Sequence, residues 1–194
     1  MTSSVNGHRP RFSIYDLRNF REIPQIKKLS ERQRFEMEVV AQVLPFRTNP
    51  YVVEQLINWD DVPNDPIFVL TFPQKDMLRP DHFDAVAELL ERGADKLELQ
   101  ATVDRIRRDL NPQPAGQLEH NVPMLGEDKV EGMQHKYRET VLFFPSQGQT
   151  CHAYCSFCFR WPQFVGDDDL RFATRETEEL IQYLKDNPDV TDVL

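Results

Sequence analysis

The three cysteines of this chain all fall between positions 151 and 158, in the run Cys151-His-Ala-Tyr-Cys155-Ser-Phe-Cys158. An odd number of thiols crowded onto one short stretch does not suit a disulfide framework. It suits a metal site in a reducing compartment, where the thiolate is the ligand. A [4Fe–4S] cube has four irons, so three thiolates on one loop anchor three of them and leave the fourth open to an outside ligand. Zinc is the first rival, because His152 could complete a tetrahedral set. His152 is adjacent to Cys151, however, and neighbouring side chains rarely reach one metal comfortably. The plainest rival makes the three cysteines small buried hydrophobes with no metal. Spacing favours the cluster.

Such a loop must be held by something rigid, and the surrounding elements are readable. Thr140-Val-Leu-Phe-Phe144, just before the cysteines, reads as a short strand buried on both faces, as in a parallel sheet. After them Thr174 caps a helix with Leu180, Ile181 and Leu184 on one face, and Asn187-Pro188 ends it. Asp189 to Leu194 then begins a second strand. Strand, helix, strand is a βαβ unit, with parallel pairing and a right-handed crossover.

The first half reads as helical. Ser30-Glu-Arg-Gln33 is a capping box that opens a helix ended by Pro45, and Asn49-Pro50 starts a second, short helix through Ile57. The stretch from Trp59 to Pro73 is rich in proline and aspartate and reads as an extended, ordered loop. Two further helices are expected, from about Asp81 to Arg92 with Gly93 as the stop, and from about Asp95 to Leu110. The expected organisation is therefore a helical region over 1–110, a wrapping loop or linker over 111–137, and the start of an α/β unit over 138–194. One βαβ unit cannot bury both faces of a sheet, so the chain is expected to be the front part of a larger α/β protein.

The composition narrows the partners. A formal net charge of −9, spread along the chain, argues against tight binding to nucleic acid, which needs clustered Lys and Arg. No apolar run approaches the ~20 residues of a membrane span, and the N-terminus lacks the apolar core of a secretory signal. A cytoplasmic location is expected, with no membrane partner.

The motif also carries a resemblance. C-x3-C-x2-C placed directly after a first strand is similar to the radical S-adenosylmethionine superfamily. The run from Gly132 to Gly166, GMQHKYRETVLFFPSQGQTCHAYCSFCFRWPQFVG, resembles the lysine 2,3-aminomutase family within it. Trp59, Asp65-Pro66 and Phe72-Pro73-Gln74 are similar to that family's N-terminal helical region, so the likeness runs from about residue 30 onward.

The resemblance implies an N-terminal helical segment followed by the first βαβ of a partial (βα)6 barrel, truncated, with the cluster at the barrel mouth. It implies Cys151, Cys155 and Cys158 as cluster ligands, Phe157 beside the adenine of S-adenosylmethionine, and Arg160 on the carboxylate of an amino acid substrate. It further implies an isomerase: the cluster and S-adenosylmethionine generate a 5′-deoxyadenosyl radical, and an amino group migrates through an imine of pyridoxal 5′-phosphate. An electron donor such as flavodoxin or ferredoxin, and a second copy of the chain in a homo-oligomer, complete the implied partners. The family's Gly-Gly-(Asp/Glu) turn and its Schiff-base lysine would lie past Leu194, so this polypeptide alone is expected not to turn over.

Two positions depart from the family. Its H-R-Y-P-D-R-V run, whose arginines hold the pyridoxal phosphate, corresponds to His135-Lys-Tyr-Arg-Glu-Thr-Val141. Lys136 and Thr140 replace those arginines, leaving Lys136 and Arg138 as the cations available to a phosphate. Two alternatives follow: a radical enzyme without pyridoxal phosphate, or a non-catalytic metal-binding remnant, perhaps holding zinc. Trp59 and Trp161 read as packing residues, and Asp167-Asp-Asp169 as a solvated run favouring the start of a helix.

Overall fold

The computed structural model describes residues 13–110, 116, 118–147, 150–156, 158, 160–170, 172–174 and 177–194. Its first part is built around helix α1, Glu31–Val43. The Ser30 side chain accepts from the Gln33 backbone at 3.2 Å, and the Gln33 side chain accepts from the Ser30 backbone at 3.0 Å, so the expected capping box forms. The helix buries two faces. Met37 and Ala41 meet an aromatic cluster of Phe20, Phe46, Phe68 and Phe72. Val39, Val40 and Val43 meet Phe83 and Val86 of α3 (Pro80–Glu91) and Val103 and Ile106 of α4 (Lys96–Asp109). Gly93 follows α3 at φ +65, and Asp95 caps α4 by accepting from Leu97 and Glu98, both as the sequence signals them.

Helix α1 ends on a side chain from elsewhere. The buried Arg107 guanidinium donates to the carbonyls of Val43 at 2.9 Å and Gln42 at 3.0 Å, satisfying acceptors that the last helical turn leaves unpaired. Its delocalised positive charge is disfavoured by burial, which lowers its pKa, and Asp104 at 3.5 Å opposes that. Arg107→Leu should destabilise the fold by about 3 kcal/mol, since it strands two buried carbonyls; chemical denaturation reads this directly.

One expectation in the helical region is corrected. Residues Trp59 to Pro73 are not one extended loop, because Pro66–Thr71 is a helix, α2. Asp65 accepts from the Phe68 backbone at 2.7 Å, and Pro66 occupies the first helical turn, where a missing N–H costs nothing. Trp59 packs as expected: its indole donates to Val53 O at 2.7 Å and its ring meets Phe68 and Phe72. The expected short second helix is mostly a wide π-type turn, Val52–Leu56. A two-residue pairing of β1 (Tyr15–Asp16) with β2 (Arg47–Thr48) closes this part of the molecule.

Residues 124–137 are more ordered than a linker. They form a small hairpin, β3 (Met124–Leu125) with β4 (Asp128–Lys129), and then a strand, β5 (Met133–Tyr137). Strand β5 pairs antiparallel with β6 (Thr140–Phe143), and β6 pairs parallel with β7 (Asp192–Val193) across helix α5 (Thr177–Asp186). The βαβ crossover is therefore present, within a mixed three-stranded sheet. The described residues form no closed barrel. Val141 alone of β6 is fully buried, against Met133, Val130 and Tyr183, so the strand is not buried on both faces. On α5 the buried residue is Tyr183, supported by Leu180 and Leu184, while Ile181 faces outward.

The sheet continues toward the cysteines as single bridges. Phe144 N donates to Gly132 O, Thr174 N donates to Phe144 O, and Ser146 N donates to Thr174 O, at 2.7–3.0 Å. Through its backbone Thr174 thus extends the sheet ahead of α5. The approach demands glycine at 132: φ is +69, and a side chain there would meet the Thr174 backbone nitrogen at 2.6 Å.

Candidate functional site

The cysteine loop leaves the C-terminal end of β6 and runs without helix or strand through the described residues 150–156. It is held from outside. Tyr154 N donates to Leu70 O of α2 at 2.7 Å. His152 Nδ1 donates to Arg47 O of β2 at 3.1 Å, and Arg47 Nη1 reaches Thr150 Oγ1 at 3.4 Å. The helical region therefore forms one wall of the site.

Between that wall and the loop lies a cavity of about 630 Å³. Cys151, Cys155 and Cys158 all line it, opposite Val69, Leu70 and Met77. The thiols are free of disulfides, and Cys158 N turns back onto Cys155 O at 3.1 Å. Cys151 Sγ rests on Ala153 O at 3.3 Å. Among the described residues no three His, Cys, Asp or Glu side chains gather closely enough to hold a metal ion together. The thiols share a cavity without converging on one point.

Several features fit an iron–sulfur cluster here. The donor set is three thiols, and the described residues of the loop between them form no helix or strand that would hold the thiols apart. Tyr154 also lines the cavity, while its hydroxyl is buried with no hydrogen-bond partner among the described residues. Burial, followed by the charge of Cys151, pushes the Tyr154 phenol up, so it stays protonated and able to donate. His152 also lines the cavity, with Nδ1 donating to Arg47 O and Nε2 facing Thr150 Oγ1 at 3.4 Å, an orientation that a metal-ligating imidazole also adopts.

The remaining residues singled out from sequence separate into groups. Phe157 lies outside the described residues. Arg160 sits at the start of a 3₁₀ turn, Trp161–Phe164, with its guanidinium 5.1 Å from the Phe144 ring centre. Trp161 lines the thiol cavity rather than serving packing alone. Asp167 accepts from Asp169 N at 3.0 Å within the turn that opens Asp168–Leu170, which matches a run favouring a helical start.

Lys136 and Arg138 stand elsewhere. Both lie around the β5–β6 turn, at the end of β6 away from the cysteines. The strands shift register between His135 and Tyr137, leaving Lys136 as the extra residue of a bulge, with its ammonium 5.6 Å from the Tyr137 ring centre. Arg138 pairs with Asp189 at 3.1 Å on the surface. Among the described residues, the lining of the thiol cavity includes neither of them, nor Arg160. His135 holds the turn: its Nε2 faces Arg138 O at 3.2 Å and its Nδ1 faces the Tyr183 hydroxyl at 2.6 Å.

Three site features were not read from sequence: Arg47, the α2 face carrying Val69 and Leu70, and Tyr154. Only the Asp65-Pro66 pair, an N-cap followed by a first-turn proline, announced α2.

Comparison with known proteins bears on the same residues. Over 181 residues, 93% of the chain, it is 30% identical to "Putative L-lysine 2,3-aminomutase" of Aquifex aeolicus (strain VF5). The chain is a distant homologue of that protein. Over 69 residues it is 35% identical to L-lysine 2,3-aminomutase of Acetoanaerobium sticklandii. The chain spans 36% of the length of the first aminomutase, and the second match spans 16% of that protein. No family model matches the chain, and no solved structure matches it significantly. Among the described residues no helix is long and apolar enough to cross a membrane.

Proposed function

We propose that this chain holds a [4Fe–4S] cluster on Cys151, Cys155 and Cys158 and serves a radical S-adenosylmethionine reaction of the aminomutase type on an amino acid. The observation that carries the reading is the placing of all three thiols, none in a disulfide, around one cavity, in a chain homologous along 93% of its length to the Aquifex aeolicus protein named "Putative L-lysine 2,3-aminomutase". When bound, the cluster would supply the electron that cleaves S-adenosylmethionine to a 5′-deoxyadenosyl radical. The chain's own contributions are structural and electrostatic. The three thiolates hold iron, while Val69, Leu70, Met77 and Trp161 wall the cavity with apolar surface that keeps water from a reactive centre. Backbone bonds from Leu70 and Arg47 fix where the loop stands.

A second reading, the same radical step without pyridoxal phosphate, is favoured by the placing of Lys136 and Arg138. Both sit at the opposite end of β6 from the thiols, and Arg138 is engaged by Asp189. Metal analysis tests the main reading. Anaerobically reconstituted protein should carry about four irons and four sulfides per chain. One zinc and no iron would end it. Absence of a pyridoxal absorbance band from the full-length protein saturated with the cofactor would select the second reading.

A further inference from the structure

The two halves of the cysteine loop differ in shape. From Cys151 to Cys155 the backbone has no turn or bend, and it is pinned in between by His152 on Arg47 O and by Tyr154 on Leu70 O. Cys155 to Cys158 is a closed turn, in which Cys158 N donates to Cys155 O at 3.1 Å. A turn with that bond keeps its end Cα atoms within about 7 Å, and disulfides join Cα atoms about 4.4–6.8 Å apart. Unbent chain of the length from Cys151 to Cys155 reaches as far as about 13 Å, outside that range. Cys155 is exposed, Cys158 is half-buried, and both line one cavity.

We propose that Cys155 and Cys158 close a reversible disulfide when the chain carries no cluster, with a small-molecule disulfide such as oxidised glutathione as the oxidant. The Cys155 thiolate attacks one sulfur of the oxidant, forming a mixed disulfide and releasing a small thiolate that takes up a proton. The Cys158 thiolate then attacks the Cys155 sulfur, closing the protein disulfide and expelling the second small thiol. The dithiol loses two electrons and two protons, and the oxidant gains both. Exposure sets the order: the exposed thiol meets the oxidant, and its turn partner resolves the intermediate. Excess reduced thiol runs the exchange backward. The disulfide follows from the turn, whereas its effect on assembly rests on the cluster reading of the cysteines. The closed form withholds two of the three ligand thiols until a reductant opens it, and keeps them from irreversible oxidation.

The test treats cluster-free wild type with oxidised glutathione and caps the remaining thiols by alkylation. The tryptic peptide from Glu139 to Arg160 contains all three cysteines, and its mass and fragments locate the link. Free thiols should fall from three to one per chain, with the cap on Cys151 and a bond between Cys155 and Cys158. Glutathione retained on the wild type, caps on all three cysteines, or a link that includes Cys151 overturns the proposal.

Cys158→Ser, which lacks the resolving thiol, should instead trap one glutathione on Cys155; glutathione on Cys151 alone overturns the order of attack. Should that variant fail to fold, the wild-type map decides. The same map on anaerobically reconstituted wild type separates the two readings. A link between Cys155 and Cys158 in protein that keeps its full iron removes both from the ligand set. Wild type that takes up no iron overturns the cluster reading, and the link in cluster-free protein still decides the disulfide.

Discussion

Cys155→Ala should bring reconstituted iron from about four per chain to background, with loss of the visible charge-transfer absorption. Cys155 is the most exposed of the three thiols, and no backbone anchor of the loop passes through its side chain. The bonds that hold the loop, from Leu70 to Tyr154 and from Arg47 to His152, remain in the variant. Its metal-free melting temperature should therefore match that of metal-free wild type. The paired result separates a lost ligand from a lost fold. A variant retaining full iron would remove Cys155 from the ligand set. A variant that loses one zinc instead of four irons would replace the cluster with a structural metal.

Phe72→Ala carries the largest expected cost to stability. Phe72 is fully buried, stacked on Phe68 at 5.0 Å between ring centres, with Phe46 at 5.3 Å and Trp59 at 6.1 Å. Removing a ring from such a cluster loses its transfer energy and leaves a cavity that its neighbours refill only in part. A loss of about 3–5 kcal/mol follows, which is about 10 °C in Tm for a chain of this size. The effect should reach the site as well. Phe72 closes α2 by donating its backbone N–H to Phe68 O, and Leu70 on that helix holds Tyr154. Phe72→Leu, which keeps most of the apolar volume, should recover more than half of the lost stability. Equal losses for the two variants would show that ring volume is not what counts at this position.

The elements with complete local signals were legible. Ser30 with Gln33, Asp95 before Lys96, and Gly93 after α3 each settle a backbone group within a few residues, so short-range pattern suffices. The strand at β6 and its parallel partner were legible too, through β-branched and aromatic runs on either side of a helix. Helix α2 was hidden because Pro63, Pro66 and the aspartates at 60, 61 and 65 raise the loop signal, and its burial faces an aromatic cluster assembled from distant segments. Strand β5 was hidden because most of its residues are polar, with Met133 alone fully buried. At the site, the cysteines announced themselves by type and spacing. Their surroundings did not, since the wall of Arg47, Leu70 and Met77 comes from a remote part of the chain. Lys136 and Arg138 are close to the cysteines in sequence, yet an extended strand carries them to its other end.

The bond between His152 and Arg47 joins positions 105 residues apart. Contacts of that span close late, after the loop between them has paid its entropy. During synthesis from the N-terminus, α1 to α4 are complete before the first cysteine is translated. The thiols thus emerge onto a receiving surface already built. Helix α2 then acts as a template for the loop: its Leu70 carbonyl stands ready to receive Tyr154 as the cysteines emerge.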